Sequence, residues 1–147
     1  MSVLVAVVDG PLTPEAEARA LHDLGASIPS TDTRIGAIVR FEGVVRLIER
    51  DPERGGAERS LAGLDYQTYD PMAKMELEAL ARDIAERHAL LGLVALHSRR
   101  RVAVGQVSFL LTAWAAHRAE CIAAVDEFIE RMKRDFPIWK RPVWAEK

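Results

Sequence analysis

Residues 117–134, HRAECIAAVDEFIERMKR, carry the clearest helical pattern of the sequence. Apolar residues recur there at the period of an α-helix, which predicts an amphipathic helix with one buried face. The residues of that face are Cys121, Ile122, Val125, Phe128, Ile129 and Met132. Pro137 follows closely and prevents the helix from continuing. We therefore expect a long helix near the C-terminus, packed on elements formed by the preceding residues.

Strand patterns dominate those preceding residues. Alternating or β-branched runs predict strands at Val3–Val8, Ile35–Arg46, Leu61–Tyr69, Leu93–His97 and Val102–Thr112. Gly43 indicates a bulge or a close backbone approach within the second of these runs. Two more helices are predicted, one from Thr13 as its cap to about Leu24, the other from about Pro71 to His88. The apolar side of the latter should contain Met72, Met75, Leu77, Leu80 and Ile84.

This order of elements predicts one α+β domain, residues 1–147, with a mainly antiparallel sheet and flanking helices. Two segments lack a periodic pattern. Residues 49–60, ERDPERGGAERS, are charged and glycine-rich, so we expect a mobile surface loop there. The tail from about 137 to 147 contains Pro137 and Pro142, so we expect it to be irregular and mobile in the free protein.

Composition excludes several classes of function. With 20 Lys and Arg against 22 Asp and Glu, the net charge of -2 gives no overall attraction to nucleic acid or to an anionic membrane. Any anion site must therefore be a local cluster of cations. The four histidines show no paired metal-ligand spacing, and there is no phosphate-binding glycine loop, dinucleotide fingerprint or CxxC motif. The single cysteine, Cys121, lies on the apolar helix face, and we interpret it as a buried structural residue.

The same features predict where the protein resides. One cysteine cannot form an internal disulfide, which suits a reducing compartment. No apolar run is long enough to span a bilayer, and the N-terminal apolar stretch has no basic region before it. We expect a soluble cytoplasmic protein.

Cations near the C-terminal helix are the strongest candidates for chemistry. His117 and Arg118 stand at its start, where backbone N–H groups favour an anion. Lys133 lies near its end, and Lys140 follows after an aromatic, Trp139. Each residue alone has an ordinary structural explanation, because lysines often occupy helix ends and tryptophans often anchor cores. A proline-broken helix that presents an aromatic residue between two lysines is unusual.

Four blocks of this sequence, in order, resemble the MoaE family, the large catalytic subunits of molybdopterin synthases. They are GAIVRFEGVVR at 36–46, LDYQTYDPMA at 64–73, AHR at 116–118 and MKRDFPIWKR at 132–141. Together with the N-terminal strand they span nearly the whole chain. The resemblance implies an α/β-hammerhead fold. It also implies a homodimer with a small ubiquitin-like subunit at each end, which forms a heterotetramer.

The resemblance implies sulfur transfer as the reaction. The C-terminal Gly-Gly tail of the small subunit carries a thiocarboxylate, which enters a pocket on the large subunit. Two sulfurs pass in turn to cyclic pyranopterin monophosphate and form the dithiolene of molybdopterin. No metal or organic cofactor is needed for this step, and neither nucleic acid nor a membrane takes part.

By carry-over, the catalytic residues are Lys133, at the thiocarboxylate and in proton transfer, and Lys140, at the pterin. The substrate-binding set comprises His117 and Arg118 for the phosphate, Arg46 as a further cation, Phe41 and Trp139 as walls, and Arg141. A thiocarboxylate and a phosphate repel each other, so fixed cations in a partly dry pocket are what such a site requires.

The segment 97–101 departs from the family's pattern. The usual pattern is His-Arg followed shortly by Gly, whereas this chain has His97-Ser98-Arg99-Arg100-Arg101. This departure favours an alternative, a non-catalytic paralogue that binds a ubiquitin-like sulfur carrier. An unrelated α+β interaction domain is a third interpretation, from composition alone. The apolar strand Val102–Thr112 needs cover, either from a subunit interface or from ordinary core packing.

Overall fold

The computed structural model describes residues 1–28 and 31–146. Within them the chain forms β1 (Ser2–Asp9), α1 (Pro14–Asp23), β2 (Ala37–Val44), β3 (Ile48–Asp51), a short 3-10 turn (Pro52–Arg54), β4 (Ala57–Thr68), α2 (Met72–Arg87), β5 (Gly92–Ala103), β6 (Val107–Ala115), α3 (Arg118–Asp135) and β7 (Ile138–Trp144).

The strands join into one sheet with the order β2-β6-β5-β4-β3, in which all neighbours are antiparallel. Two further strands pair outside this path: β1 runs parallel to β5, and β7 runs antiparallel to β4. The register of β2 on β6 shifts between Gly43 and Val44, which confirms the predicted bulge. The predicted α+β class with a mainly antiparallel sheet is confirmed.

Alternation along β5 divides the core between the two faces of the sheet. Leu93 and Ala95 point to the face covered by α2 and α3, where Leu77, Ile84 and Phe128 are fully buried. The alternate β5 residues point to the other face, where they pack with residues around α1; this second cluster includes Leu12, Ala20, Val94, Leu96, Leu110 and Trp114. β6 lies between β2 and β5 in the sheet, so it is not an edge strand. Both of its faces are buried, so ordinary core packing covers its apolar residues.

The helices are as predicted, but their buried faces are not entirely so. Cys121, Val125 and Phe128 are buried, while Ile122 is 56% exposed. On α2 the expected Met72 and Met75 are exposed, and the buried face is largely alanine, with Ala73, Leu77, Ala81, Ile84 and Ala85. The small alanine side chains allow the helix to lie close to the sheet, and a prediction weighted toward large apolar residues missed this.

The segment 49–60 is a β-hairpin, so its interpretation as an irregular loop is wrong. Asp51 ends β3, and its carboxylate accepts hydrogen bonds from the Glu53 backbone N–H and from Arg59 Nη1, the latter at 2.7 Å. Gly55 and Gly56 supply the positive φ angles of the turn, and β4 then pairs back on β3. The hairpin carries mostly charged side chains, so it shows no apolar alternation in the sequence. Its mobility stays a prediction.

The C-terminal tail is also regular, so the expectation of an irregular tail is wrong. Residues Ile138–Trp144 form β7, and the Arg59 guanidinium lies 4.5 Å from the centre of the Trp144 ring. Pro142 is tolerated because β7 pairs with β4 alone, at an edge of the sheet where a missing N–H costs little. Lys147, the last residue of the predicted tail, lies outside the described residues.

The arginine segment lies within a strand and not between two strands. β5 continues through Arg99–Arg101 to Ala103, and the turn comes later, before Val107. Arg99 is the last β5 residue paired with β1, and Arg100 is the first paired with β4. At this change of neighbour Arg100 has a φ of 73°, the left-handed conformation that glycine adopts freely. A backbone conformation that favours glycine therefore occurs here at an arginine.

Replacing Arg100 with Gly should stabilise the protein relative to Arg100→Ala. Both variants lose the same exposed side chain, whose Nε lies 3.7 Å from Asp9 Oδ1, but only glycine removes the left-handed penalty. We expect the free energy of unfolding of Arg100→Gly to exceed that of Arg100→Ala by about 1 kcal/mol, measured by urea denaturation. Equal stability of the two variants would show that this backbone position is unstrained.

Candidate functional site

A cavity of about 570 Å³ opens where the end of α3 and β7 meet the sheet. Residues from β2 and the segment after it, β3, β4, β5, β6, the end of α3 and β7 line it. The lining residues are Phe41, Glu42, Gly43, Val44, Val45, Arg46, Glu49, Leu64, Tyr66, His97, Ser108, Phe109, Ile129, Met132, Lys133, Phe136, Ile138 and Lys140.

The end of α3 contributes one continuous face to this cavity. Ile129, Met132 and Lys133 are spaced by three and four residues, so they lie on the same side of the helix, and Phe136 follows as its C-cap. The helix is held there by Phe128, which is fully buried and stacks on Phe109 of β6 with ring centres 5.9 Å apart. The packed core therefore fixes the position from which Lys133 enters the site.

Alternation along β7 decides which tail residues reach the cavity. Ile138 and Lys140 line it, and Lys140 stands opposite Tyr66 in the β4 register. Trp139 and Arg141 are not part of the lining, because neighbouring strand residues point to opposite faces. Trp139 is 58% exposed. The structure thus brings together Lys133 and Lys140, as the sequence predicted, and turns Trp139 and Arg141 away.

The two lysines differ from the other charged residues of the cavity because their charges are unpaired. Arg46 Nη2 lies 3.2 Å from Glu49 Oε1, and Glu42 is paired with Arg40, also at 3.2 Å. Within residues 1–28 and 31–146, Lys133 and Lys140 have no carboxylate within 4.0 Å. They are therefore available to bind an added anion, whereas Arg46 would have to share its charge with Glu49.

Aromatic rings form the apolar wall of the cavity. Phe41 and Phe109 lie with ring centres 6.2 Å apart, and Phe109 is 5.6 Å from the ring of His97. His97 also meets Tyr66 edge-on at 5.2 Å, and Phe136 at 6.5 Å. Phe41, predicted from sequence as a wall, stands in this row. A planar ligand would find flat apolar surfaces here.

Three neutral polar side chains interrupt that wall. Tyr66 donates a hydrogen bond to Ser108 Oγ at 2.9 Å, and burial raises the pKa of Tyr66. His97 is only 6% exposed, and burial lowers its pKa to about 4. The imidazole is therefore neutral near pH 7, and the positive charge of the site comes from its lysines and arginine.

His117 and Arg118 do not reach this cavity within one chain. His117 is the N-cap of α3 and makes no side-chain capping bond, and Arg118 is the first residue of the helix. Lys133 lies near the other end, about 24 Å away at the rise of an α-helix. The structure thus separates these two predicted phosphate ligands from the two lysines.

Sequence reasoning missed Tyr66, His97 and Ser108 as parts of the site. A weak signal for His97 exists, because it follows Leu93 and Ala95 at two-residue spacing and so shares their buried face. Its ring neighbours come from β4, β6 and the end of α3, and only the sheet order brings those segments together.

The other candidate features do not form a second functional site among the described residues. Cys121 is buried, its Sγ lies 3.6 Å from the carbonyl oxygen of Ala37, and burial raises its pKa, as expected for a structural cysteine. Among the described residues no group of three His, Cys, Asp or Glu side chains is placed to hold a metal ion. None of the helices in that part of the chain is long and apolar enough to cross a membrane.

The sequence of this chain matches a known protein family. The family model described as MoaE protein matches residues 12–135. The molybdopterin synthase catalytic subunit of Nostoc is 33% identical over 142 residues, which cover 96% of this chain and 76% of that protein. The corresponding protein of indica rice is 34% identical, and the match spans 78% of this chain but only 56% of the longer rice protein.

Solved structures agree on the fold. A molybdopterin synthase structure from Staphylococcus aureus superposes with a TM-score of 0.70 at 25% identity, over 96% of this chain and 91% of that one. A Helicobacter pylori complex of subunits 1 and 2 of molybdopterin-converting factor gives 0.67 at 23% identity, over 97% and 90%, which shows the fold alone. The fold expected from the four sequence blocks is confirmed, and the chain belongs to the MoaE protein family.

Proposed function

We propose that this chain is the catalytic subunit of a molybdopterin synthase. It would transfer sulfur from the C-terminal thiocarboxylate of a small ubiquitin-like subunit to cyclic pyranopterin monophosphate, forming the dithiolene of molybdopterin. The proposed assembly is a homodimer with one small subunit at each end. The names of the relatives, and the two-subunit complex from Helicobacter pylori, support this proposal.

The observation that carries the proposal is a pair of lysines in one cavity, neither of which has an ion-pair partner among residues 1–28 and 31–146. Lys133 comes from a helix and Lys140 from a strand, yet both line the same space. A thiocarboxylate and a cyclic phosphate are both anions at pH 7, so their approach needs cations between them. We assign Lys133 to the thiocarboxylate and to proton transfer, and Lys140 to the pterin. Phe41 would pack against the pterin, and Arg46 would add charge.

The proposal includes the conditions of the reaction. As the family resemblance implied, the chemistry is carried by the thiocarboxylate sulfur and by protein side chains, and needs no metal or organic cofactor. We also propose a cytoplasmic location, because a chain with a single, free cysteine suits a reducing compartment.

The alternative, a paralogue that binds the sulfur carrier without catalysis, rested on the altered segment 97–101. In the structure, Arg99 pairs with Asp9 and Asp70 and does not line the cavity. Arg100 is exposed, while His97 remains in the lining. The altered residues therefore leave both lysines in place, which favours the enzyme. Mixing the protein with a thiocarboxylated small subunit and the cyclic precursor separates the two, since only an enzyme yields the dithiolene.

Lys133→Ala should lower the rate of dithiolene formation at least about 100-fold, because it removes the cation nearest the reacting sulfur in this proposal. The fold should persist, since the side chain is exposed and has no ion-pair partner in the described chain. Arg134→Ala is the matched control: it removes a cation from the next residue of the same helix, outside the lining. A Lys133→Ala protein as active as this control would refute the assignment of Lys133.

In this proposal, His117 and Arg118 can bind substrate only if the protein is a dimer. Each lies too far along α3 to share a ligand with Lys133 of its own chain. If they bind the substrate phosphate, as the resemblance implies, they must do so in the cavity of a second copy. Trp139 and Arg141 do not line the cavity of their own chain. In this proposal they bind substrate only if the exposed face of β7 contacts another chain of the assembly.

Complementation tests this arrangement. Lys133→Ala and a His117→Ala/Arg118→Ala double variant should each be inactive alone. After the dimers are dissociated and mixed, random pairing should restore about a quarter of wild-type dithiolene formation, because half of the dimers then hold one complete site. Mixing that restores no activity, although mixed dimers form, would show that these residues do not complete a partner's site.

A further inference from the structure

The proposed function does not use the chemistry of His97, a polar residue of the cavity lining. It is almost fully buried among Tyr66, Phe109 and Phe136, yet it lines the same cavity as the two lysines. A buried imidazole usually satisfies both ring nitrogens with protein partners, because an unpaired polar atom is costly in an apolar environment. Among the residues that the structure describes, only one ring nitrogen of His97 has a hydrogen-bond partner.

The hydrogen bond of Nδ1 determines the tautomer. Nδ1 lies 2.7 Å from the backbone carbonyl oxygen of Ser98, and a carbonyl can only accept. Nδ1 therefore carries the proton, and in the neutral ring Nε2 carries a lone pair. Nε2 has no hydrogen-bond partner among the described residues, and it is not one of their fully enclosed unpaired atoms. A group bound in the cavity that His97 lines is therefore the candidate partner of Nε2.

The other polar side chains of the lining are charged or already take part in interactions within the protein. Lys133 and Lys140 can only donate, and the carboxylates of Glu42 and Glu49 are paired with arginines. The Tyr66 hydroxyl donates to Ser108. Nε2 is thus a neutral, fixed, unoccupied acceptor beside flat aromatic surfaces. Such an atom suits an N–H or O–H group at the edge of a planar heterocycle.

We propose that His97 Nε2 accepts a hydrogen bond from an N–H or O–H of the pterin and so orients that ring in the cavity. The proposal rests on the function proposed above and adds a substrate-orienting residue to it. In this arrangement the lysines hold the anionic groups, and the neutral imidazole sets the rotation of the ring between the aromatic walls.

Imidazole ¹⁵N NMR of the full-length protein tests the proposal without any substitution. The probe is cyclic pyranopterin monophosphate, added without the small subunit so that no sulfur is transferred. The free protein should show His97 protonated at Nδ1 and bare at Nε2. Saturation with the precursor should move the Nε2 resonance toward the hydrogen-bonded range. The exposed His22 is the internal control and should not move.

The three possible results have distinct meanings. Binding with a shifted Nε2 supports the proposal. Binding with an unmoved Nε2, or a free protein already protonated at Nε2, overturns the role of His97 and leaves the proposed function intact. If the wild-type protein neither binds the precursor nor forms dithiolene with a thiocarboxylated partner, the proposed function itself fails, and the role of His97 with it.

His97→Phe gives a second, kinetic readout, since phenylalanine retains the ring and its burial but lacks the lone pair. Loss of one orienting hydrogen bond should raise the KM for the precursor about tenfold. The value of kcat should change less, because the lysines remain. A kcat/KM equal to that of the wild type would overturn the proposal. If the variant fails to fold, the NMR result decides.

Discussion

The antiparallel pairing of β7 with β4 is the contact on which the candidate site depends. It returns the chain from the end of α3 to the sheet, so that Ile138 and Lys140 close one side of the cavity. On the other side of the cavity, Phe128 packs on Phe109 and holds α3 against the sheet. Between these two fixed positions, Lys133 and Lys140 are separated by only a few residues of chain. Backbone hydrogen bonds and core packing therefore set the geometry of the charges.

Ion pairing then determines which charges can act. An arginine beside a glutamate is largely satisfied within the protein, and this describes Arg46 with Glu49 and Arg40 with Glu42. A substrate anion would have to compete with a fixed carboxylate at those positions. The lysines of the cavity meet no such competitor in the described chain, so an incoming anion gains the full interaction. This difference gives a physical reason to assign the chemistry to the lysines, and only support to Arg46.

The sequence predicted the elements more reliably than their pairing. Helical periodicity located α3, and the bulge at Gly43 followed from a glycine inside a strand pattern. The hairpin at 49–60 and strand β7 were missed because both lie at edges of the sheet, where side chains meet water and apolar alternation is weak. The two lysines could be predicted because local sequence places them together. The environment of His97 could not, because its neighbours come from three distant segments.

A neutral imidazole within a cationic cavity has a consequence for how a substrate is recognised. A charge at His97 would have to be buried among aromatic rings, and this burial lowers the pKa of His97 to about 4. The cavity therefore separates two kinds of recognition. The exposed lysines attract anions, while the buried imidazole offers a directional hydrogen bond. Attraction of this kind brings a ligand in without fixing its rotation, and only the directional groups can select one orientation of a planar ring.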